Sequence, residues 1–432
     1  MKDKARKAAF DALNDITKNK SYGNLVLKNA FNHLDSQEKR FASRLVYGTL
    51  EKMITIDWII DNYVKKHTPA TLKNILRLGA YQIYYMDSVP VHAACSTSVE
   101  LAKSAGKGGA SGFINGVLRN IARGKSELKI PDEDLSIKYS CPRWIVDMWI
   151  EELGMQQTID LLSFEDDSGI VIRANSLKGY SSNMLEAELK RRDIEYEKGK
   201  IISDAYRVNA GFEDIAEGLF DEGKIAIQDE GSMVIAQIAV SEMPEFVLDA
   251  CAAPGGKTAA MANIYKEGKY IATDIHPHRV EIMEKMFERL CVNAKTYKFD
   301  ASEKPFEMEV DCVLVDAPCS GLGTMFKQPD IKYNKTYDDI KELAKMQLKI
   351  LNNCAKAVAS GGCIVYSTCT ISKAENKEVV EKFLAENRGF EIVEPAGSDI
   401  LVDAFDGVGV QLMPNVHNTS GFYIAKMKRK AT

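Results

Sequence analysis

The sequence has few of the features that mark membrane, secreted or metal-binding proteins. Its apolar stretches, such as those at 225–227 and 313–315, are far too short to span a bilayer. Residues 1–7 contain no apolar core of an export signal. The nine cysteines include no C-x-x-C pair, and the six histidines show no ligand spacing. We therefore expect a cytoplasmic protein without a disulfide framework and without a metal site.

Charge is distributed unevenly along the chain. The 432 residues carry a net charge of −5. Residues 1–130 hold 21 Lys and Arg against 11 Asp and Glu, a net of +10, while the remainder holds 35 against 50, a net of −15. A basic N-terminal part suits docking on nucleic acid, but an unevenly charged solvated surface explains the same numbers. Charge alone leaves both interpretations open.

Hydrophobic periodicity divides the chain into three regions. We expect an all-helical domain over 1–130, a small α+β module over 140–235, and a doubly wound α/β domain with a mostly parallel sheet over 236–432. Thr68 is expected to cap the helix that follows Pro69. Helices are predicted at 5–16, 25–34, 38–52, 72–86, 113–121, 183–192, 278–291, 338–359 and 374–386, and strands at 170–174, 205–208, 246–250, 270–273, 295–299, 312–315, 363–367, 391–393 and 422–427.

A cationic, glycine-rich turn at 106–112 precedes the last predicted helix of the N-terminal region. Its backbone amides and Lys107 could receive a phosphate group. It could equally be a mobile loop, which is the commoner role of such a segment. The turn is therefore a candidate nucleic-acid contact with an ordinary alternative.

A second glycine turn, at the start of the α/β region, suits a nucleoside cofactor. Residues 246–249 are predicted to be a buried strand, and 253–256, Ala-Pro-Gly-Gly, turn the chain into a helix. Glycine lets the backbone approach a ligand closely, and a helix N-terminus offers free N–H groups. Asp274 closes the next strand, where a carboxylate can bind ribose hydroxyls, and Asp300 closes the third, within reach of an adenine edge.

Three kinds of ligand compete for this turn. A P-loop needs glycine five residues before Gly256, and that position is Cys251. A dinucleotide-binding turn needs G-x-G-x-x-G, and the sequence contains no such string. S-adenosylmethionine (AdoMet) has no phosphates, so it needs fewer glycines and an acidic residue for its ribose. AdoMet is therefore the cofactor that fits the turn best.

Two cysteines follow predicted buried strands at the ligand edge of the sheet. Cys319 ends the string Asp-Ala-Pro-Cys, and Cys369 ends the string Tyr-Ser-Thr-Cys. Enzymes of this sheet type that methylate exocyclic amines have an aromatic residue where Cys319 stands. A thiol there indicates carbon methylation, because C5 of cytosine is not nucleophilic until a thiolate adds to C6. One thiol would add to C6 and the other would assist release, and the residues alone do not say which.

Burial as a small apolar residue is the alternative for either cysteine, since that is the commonest role of a free thiol. We expect this ordinary role for six of the others, namely Cys95, Cys141, Cys291, Cys312, Cys354 and Cys363.

Charged side chains near the two cysteines are candidates for supporting roles. Asp316 could stabilise the charge that develops on the ring near N3. Lys257 could orient Asp316 or touch the base, or it could be a solvated lysine of a first helical turn. Lys327 and Lys332 could contact RNA phosphate, although a solvated surface position is the more ordinary role of each.

These strings together resemble the NOL1/NOP2/Sun family of RNA cytosine-C5 methyltransferases. The N-terminal part resembles the NusB-like RNA-binding domain of some members, so the resemblance covers the whole chain. It implies an all-α NusB-like domain, an RRM-like α+β module and a Rossmann-like class I methyltransferase domain. The strings are Asp-Ala-Cys-Ala-Ala-Pro-Gly-Gly-Lys at 249–257, Asp-Ala-Pro-Cys-Ser-Gly at 316–321, Lys-Gln-Pro-Asp-Ile-Lys at 327–332, Tyr-Ser-Thr-Cys at 366–369, Glu-Asn at 375–376 and Gln-Asp-Glu-Gly-Ser at 228–232.

The resemblance implies roles that the residues leave open. In this family the thiol of the Thr-Cys string is the nucleophile, which falls on Cys369, and the thiol of the Pro-Cys string, here Cys319, is associated with product release. The implied reaction is AdoMet-dependent methylation of a cytosine at C5 in 16S ribosomal RNA, either free or in a partly assembled small subunit. Cofactor contacts carry over to Cys251, Ala252, Ala253, Pro254, Gly255, Gly256, Lys257, Asp274, Asp300 and Asp316.

One segment departs from the family pattern. Residues 415–421, Asn-Val-His-Asn-Thr-Ser-Gly, stand where the family usually has an acidic, glycine-rich run, so substrate contacts there do not carry over. The alternative functions are an RNA-binding ribosome-assembly factor with a vestigial methyltransferase domain, and a cytosine-C5 methyltransferase that acts on another nucleic acid. A binding factor has no need of Asp316, Cys319 and Cys369 together. We expect a monomer by default.

Overall fold

The chain folds into two units, and each consists of two segments that are separate in sequence. The computed structural model describes residues 3–19, 23–166, 169–395 and 399–431. One unit consists of Met1–Ser163 with Met325–Thr336, and the other of Phe164–Thr324 with Tyr337–Thr432. The three-domain division expected from the sequence stays a prediction.

Amphipathic helices form the first unit, and those between residues 4 and 124 bury their apolar faces in one core. Five of these helices contribute side chains to this core that have no solvent exposure, for example Leu13, Leu45, Ile56, Ile75 and Leu118. The helices are α1 (Lys4–Asn19), α2 (Gly23–Ala30), α3 (Ser36–Glu51), α4 (Met53–Tyr63), α5 (Ala70–Tyr85), α6 (Val91–Ser104), α7 (Ser111–Gly124), α8 (Leu135–Lys138), α9 (Arg143–Leu153) and α10 (Met155–Leu162).

The helices predicted in this region are present, and their ends differ from the predicted ones by a few residues. The sequence pattern missed α4, which is apolar on most sides and so shows little periodicity, and it also missed α6, α8, α9 and α10. The predicted cap at Thr68 is wrong. Pro69, with a φ of −54° that already suits a helix, directly precedes α5, and the Thr68 hydroxyl donates to the Lys66 carbonyl instead.

Residues 325–336 belong to the helical unit although they lie far along the chain, and Lys332 anchors them there. Its side chain is only 4% exposed, and its ammonium donates to the backbone carbonyls of Glu51 at 2.9 Å and Ser140 at 2.6 Å. Burial lowers the pKa of Lys332 to about 8. The expectation of a solvated or RNA-bound Lys332 is therefore wrong, because this ammonium binds buried carbonyls. Lys327 is half-buried.

Two neighbours of Lys332 add further buried anchors. The Tyr333 hydroxyl donates to the Leu50 carbonyl at 2.8 Å, beside the Lys332 contact at the end of α3. The Asp330 carboxylate accepts from the backbone N–H of Gly23 at 3.0 Å, at the start of α2. The segment thus satisfies backbone groups at helix ends that have no partner within their own helices.

Replacing Lys332 with alanine is expected to destabilise the protein by on the order of 1–3 kcal/mol, because two buried carbonyls lose their donor. Lys66→Ala, at an exposed loop lysine of the same unit, is the control and should change stability by less than about 0.5 kcal/mol. Urea unfolding measures both. Equal unfolding free energies for the two variants would contradict the anchoring role.

A small antiparallel sheet opens the second unit. Its strand order is β2-β3-β1-β4, and the central strand β1 pairs with β3 and β4. Both predicted strands of this module and its predicted helix are present. The elements are β1 (Ile170–Ala174), α11 (Ser182–Arg191), β2 (Tyr196–Lys198), β3 (Ala205–Val208), α12 (Phe212–Ile215), β4 (Ile225–Ile227) and α13 (Glu230–Ala239).

A larger, eight-stranded sheet follows in the order β10-β12-β9-β8-β5-β6-β7, with β11 paired to β12. The strands are β5 (Phe246–Asp249), β6 (Lys269–Asp274), β7 (Ala294–Lys298), β8 (Val310–Asp316), β9 (Val358–Thr368), β10 (Phe390–Val393), β11 (Val410–Leu412) and β12 (Phe422–Arg429). The helices are α14 (Gly256–Ile264), α15 (Pro277–Leu290), α16 (Tyr337–Ala355), α17 (Lys377–Glu386), α18 (Asp399–Asp403) and α19 (Pro414–His417).

The predicted fold class is confirmed, with five parallel strands at the heart of the sheet. β5 pairs in parallel with β6 on one side and with β8 on the other, so the chain order reverses between β5 and β8. Ligands of open α/β sheets bind at the carboxyl ends of the strands at such a switch point. β10, β11 and β12 pair antiparallel, and the sequence pattern missed the short β11.

No helix in the described part of the chain is long and apolar enough to cross a membrane.

Candidate active site

The two predicted cysteines meet at the carboxyl edge of β8 and β9. These strands pair in parallel with Asp316 opposite Ser367, so the loops that follow them leave the sheet side by side. The sulfurs of Cys319 and Cys369 are 3.2 Å apart, and the Cys369 backbone N–H lies 3.3 Å from the Cys319 sulfur. Both side chains are half-buried. The structure therefore brings both thiols to one point.

The surroundings raise the pKa of the Cys319 thiol well above its ordinary value. The hydrogen bond with the Cys369 sulfur contributes most, followed by burial, the charge of Cys369 and the nearby Glu375 carboxylate. Cys319 therefore holds its proton at neutral pH.

Asp316 and Lys257 form an ion pair beside the thiols. The Lys257 ammonium lies 2.7 Å from one oxygen of Asp316, and the Ser367 hydroxyl donates to the other at 2.9 Å. Burial lowers the pKa of Lys257, but the charge of Asp316 and its hydrogen bond, together with the nearby Cys369 and Asp249, outweigh burial, so the net shift is upward. Lys257 is thus no solvated lysine. It holds the Asp316 carboxyl in a defined orientation.

The predicted cofactor turn lies between β5 and α14. Gly255 has a φ of +104°, and a β-carbon there would lie 2.7 Å from the Phe287 ring and 2.9 Å from the Met283 side chain. Only glycine fits this position, because both the backbone conformation and the space exclude a side chain. Four other predicted residues of the turn are buried or half-buried, namely Cys251, Ala252, Ala253 and Gly256. Pro254 is exposed.

Asp274 and Asp300 lie at the edge predicted for the ribose and the base. Asp274 ends β6, its carboxylate accepts from the backbone N–H of His276 at 3.0 Å, and it pairs with Arg279 at 3.1 Å. Asp300 follows β7 and accepts from the backbone and hydroxyl of Ser302 at 2.8 and 2.7 Å. Neighbouring parallel strands place both at the same sheet edge as the glycine turn.

Asp249 is a site residue that the sequence analysis did not predict, although it begins the string at 249–257. It ends β5, is 1% exposed, and accepts from the Thr258 hydroxyl at 2.6 Å. Its other oxygen is buried and has no hydrogen-bond partner within the described residues. Burial raises the pKa of Asp249 to about 7. Its place at the head of the glycine turn was the available signal.

Glu375 is a second residue that was quoted only as part of a motif. Its carboxylate is buried and accepts from the backbone N–H of Ser320 at 2.8 Å and from the Ser320 hydroxyl at 2.6 Å. No spacing in the sequence indicates that residue 375 reaches the loop of Cys319, because the two segments are far apart along the chain.

Five of the six cysteines assigned an ordinary apolar role are buried, as predicted, namely Cys95, Cys141, Cys312, Cys354 and Cys363. The prediction for Cys291 is wrong, because this side chain is exposed. Cys291 ends α15 with a φ of +56°, and the left-handed backbone turns the side chain outward. In the parts of the chain described, no group of three or more His, Cys, Asp or Glu side chains could hold a metal ion.

The atypical loop at 415–421 is tied down by hydrogen bonds from its own polar residues. Asp229 accepts from the hydroxyls of Thr419 and Ser420, and the backbone N–H of Gly421 donates to Gly323 at 2.8 Å. The hydroxyls of this loop thus contact the protein itself.

Two known protein families match the chain. The family described as 16S rRNA methyltransferase RsmB/F matches residues 237–428, and the NusB family matches residues 3–123. The chain is 35% identical to a probable ribosomal RNA small subunit methyltransferase B of Bacillus subtilis (strain 168), over 99% of each protein. It is 32% identical to the ribosomal RNA small subunit methyltransferase B of Shewanella oneidensis, over 98% of this chain and 97% of that protein. The solved structure of PH0851 matches 99% of each chain with a TM-score of 0.83 and 25% identity.

Fold and site together define a Rossmann-like methyltransferase domain combined with a NusB domain. The chain belongs to the RsmB/F family of 16S ribosomal RNA methyltransferases, also called the Sun/RsmB family. The resemblance inferred from the sequence strings is thereby confirmed.

Asp249→Asn is expected to flatten the pH dependence of stability. A carboxyl whose pKa rises from 3.8 to about 7 on folding binds more protons in the folded state. Its stability contribution is therefore full at low pH and is lost as the pH rises through about 7. Between about pH 5 and pH 8 the wild-type protein should lose more unfolding free energy than Asp249→Asn.

Urea unfolding at several pH values measures this difference. Asp338→Asn, at an exposed carboxylate in the first turn of α16, is the control and should follow the wild-type profile. If Asp249→Asn also follows that profile, the buried carboxyl does not titrate in this range.

Proposed function

We propose that this protein transfers a methyl group from AdoMet to C5 of a cytosine in 16S ribosomal RNA. The observation that carries the proposal is the 3.2 Å contact between the sulfurs of Cys319 and Cys369 beside the Asp316 carboxylate. Methylation of an amine or a hydroxyl needs neither thiol, whereas C5 methylation has a use for both. The relatives named for small-subunit ribosomal RNA support the substrate class.

The turn after β5 fits AdoMet on two structural grounds. Gly255 leaves a space that a β-carbon would fill, so a ligand can approach the backbone there. The unpartnered buried oxygen of Asp249 is an acceptor available to a donor group of the ligand. When bound, AdoMet supplies the electrophilic methyl group. Asp274 and Asp300 would hold its ribose and base.

The chain's own residues prepare the cytosine for attack. The sulfur of Cys369 forms a bond to C6, and the electron pair displaced from the C5–C6 double bond makes C5 nucleophilic. The Asp316 carboxyl, fixed by Lys257 and Ser367, would stabilise the charge near N3. After C5 is methylated, its proton passes to water, the electron pair of the C5–H bond restores the C5–C6 double bond, and the C6–S bond breaks with its electron pair on Cys369. Cys319 would assist this elimination by donating a hydrogen bond to the departing Cys369 sulfur.

Unequal charges around the two thiols support this division of roles. The Lys257 ammonium lies within electrostatic range of the Cys369 sulfur. The Glu375 carboxylate lies near Cys319 and favours its neutral form. A nucleophile must be a thiolate, whereas a group that assists release can keep its proton. Cys319, which keeps its proton, therefore suits release, and attack is left to Cys369.

Alanine variants of the two cysteines test the proposal with RNA and AdoMet. Cys369→Ala is expected to form neither a covalent adduct nor methylated product, because no sulfur bonds to C6. Cys319→Ala is expected to accumulate a covalent protein–RNA complex, because elimination is impaired. Denaturing electrophoresis detects the adduct, and nucleoside mass spectrometry detects 5-methylcytosine.

Cys291→Ala is the matched control at an exposed cysteine, and it should behave as the wild type. An adduct that accumulates in Cys369→Ala and is lost in Cys319→Ala would reverse the assigned roles. A wild-type protein that binds RNA without forming adduct or product would instead favour a ribosome-assembly factor.

The basic helical unit is the proposed RNA-docking surface. Residues 1–130 carry a net charge of +10, and Lys103 and Lys107 are exposed beside the glycine-rich turn. Lysines on such a surface bind phosphates by releasing counterions, so their contribution depends on salt concentration. We expect both lysines to contact the RNA backbone.

The double variant Lys103→Ala/Lys107→Ala is expected to weaken RNA binding and to reduce the slope of log K against log salt by about 1 per lysine. Lys341→Ala/Lys345→Ala, at exposed lysines of α16 in the other unit, is the control. Fluorescence anisotropy at several salt concentrations measures both slopes. Equal slopes for the two double variants would exclude phosphate contacts by Lys103 and Lys107.

A further inference from the structure

Glu375 connects the two loops that carry the reactive cysteines. Its carboxylate accepts from the backbone N–H and the hydroxyl of Ser320, the residue directly after Cys319. The Thr370 hydroxyl, on the residue directly after Cys369, lies 2.7 Å from the Ser320 hydroxyl and 3.4 Å from the Glu375 carboxylate. One buried carboxylate thus contacts the next residue along the chain from each thiol.

The carboxylate is itself held in place from several sides. The Gln347 side-chain amide donates to Glu375 at 3.1 Å and to the Pro318 carbonyl at 3.0 Å. The Tyr366 hydroxyl donates to the backbone carbonyl of Glu375 at 2.6 Å. A fully buried carboxylate is costly unless donors surround it, and these donors supply that compensation. Glu375 therefore has a single well-defined position.

We infer that Glu375 is a positioning residue that holds the Cys319 and Cys369 loops together, so that both thiols face the ring of the same cytosine. It acts through Ser320 and Thr370 and does not itself reach the thiol contact by a hydrogen bond described here. Its charge is also one of the causes that raise the pKa of Cys319. The consequence for methyl transfer rests on the proposed function, but the geometry of the thiols does not.

Glu375→Gln is the main variant, because an amide keeps the size of the side chain. One of its two terminal atoms becomes a donor and the negative charge is lost, so the amide cannot accept both hydrogen bonds from Ser320 as the carboxylate does, and the link to the Cys319 loop is weakened. Glu378→Gln is the matched control, at a half-exposed glutamate in the first turn of α17. Ser320→Ala is the second variant. It removes one of the two bonds and leaves Glu375 in place.

Phenylarsine oxide tests the geometry on the full-length protein without RNA. The arsenic bonds to two neighbouring thiols, whose two hydrogens leave with the oxygen as water, so no oxidant is needed. Wild type and Glu378→Gln should bind it at Cys319 and Cys369 with equal affinity, measured by intact mass and peptide mapping. Glu375→Gln and Ser320→Ala should each bind it at least several-fold more weakly.

The pH profile of Cys319 alkylation by iodoacetamide tests the charge. Glu375→Gln should move the midpoint of this profile to lower pH, because one cause that raises the pKa of Cys319 is removed.

In methyl transfer, the same variant should lose on the order of 10–100-fold in kcat, with KM for RNA and AdoMet unchanged. Loss of general structure would change binding as well.

The inference is overturned if Glu375→Gln matches Glu378→Gln in arsenical affinity and in alkylation profile, or if the wild type does not bind phenylarsine oxide. If Glu375→Gln does not fold, wild-type arsenical affinity in Ser320→Ala overturns it and weakened affinity supports it. A wild type that binds the arsenical at both cysteines but methylates no RNA contradicts the proposed function alone.

Discussion

The parallel pairing of β8 between β5 and β9 is the constraint on which the rest of the site depends. β5 delivers the glycine turn, β8 delivers Asp316 and Cys319, and β9 delivers Cys369, all at one carboxyl edge. Because the register places Asp316 opposite Ser367, a one-residue slip would turn one thiol away from the other. The inner parts of both strands, 312–315 and 363–366, are buried apolar runs, so packing on both faces holds this register.

Charge then separates two thiols that geometry makes nearly equivalent. A lysine lies near one and a buried glutamate near the other, and each is held by its own hydrogen bonds: Lys257 by Asp316, and Glu375 by Ser320. In a partly dehydrated site such charges act with little screening, and the glutamate is one of the causes that raise the pKa of Cys319. The division of chemical labour proposed for the pair follows from these neighbours.

The helical unit depends on a segment that the chain supplies late. Residues 325–336 come shortly after Cys319 in sequence, yet Asp330, Lys332 and Tyr333 bind backbone groups at the ends of α2 and α3 and near Ser140. A lysine that would ordinarily be solvated is instead a buried donor with a lowered pKa. Contacts between segments so far apart in sequence produce no periodic pattern. The sequence therefore suggested a surface position for Lys332.

The sequence by itself determined most of the elements and most of the predicted site. Alternating apolar runs and turns specify strands and helices locally, and Cys319, Cys369 and Asp316 could be found because each stands just past a strand. Only the tertiary structure decided which residues surround them. Lys257 reaches Asp316, Glu375 reaches Ser320, and Lys332 reaches Glu51 through side chains that pack across segments far apart in the chain. Local periodicity records burial and secondary structure, whereas partner choice depends on how the strands are ordered in the sheet.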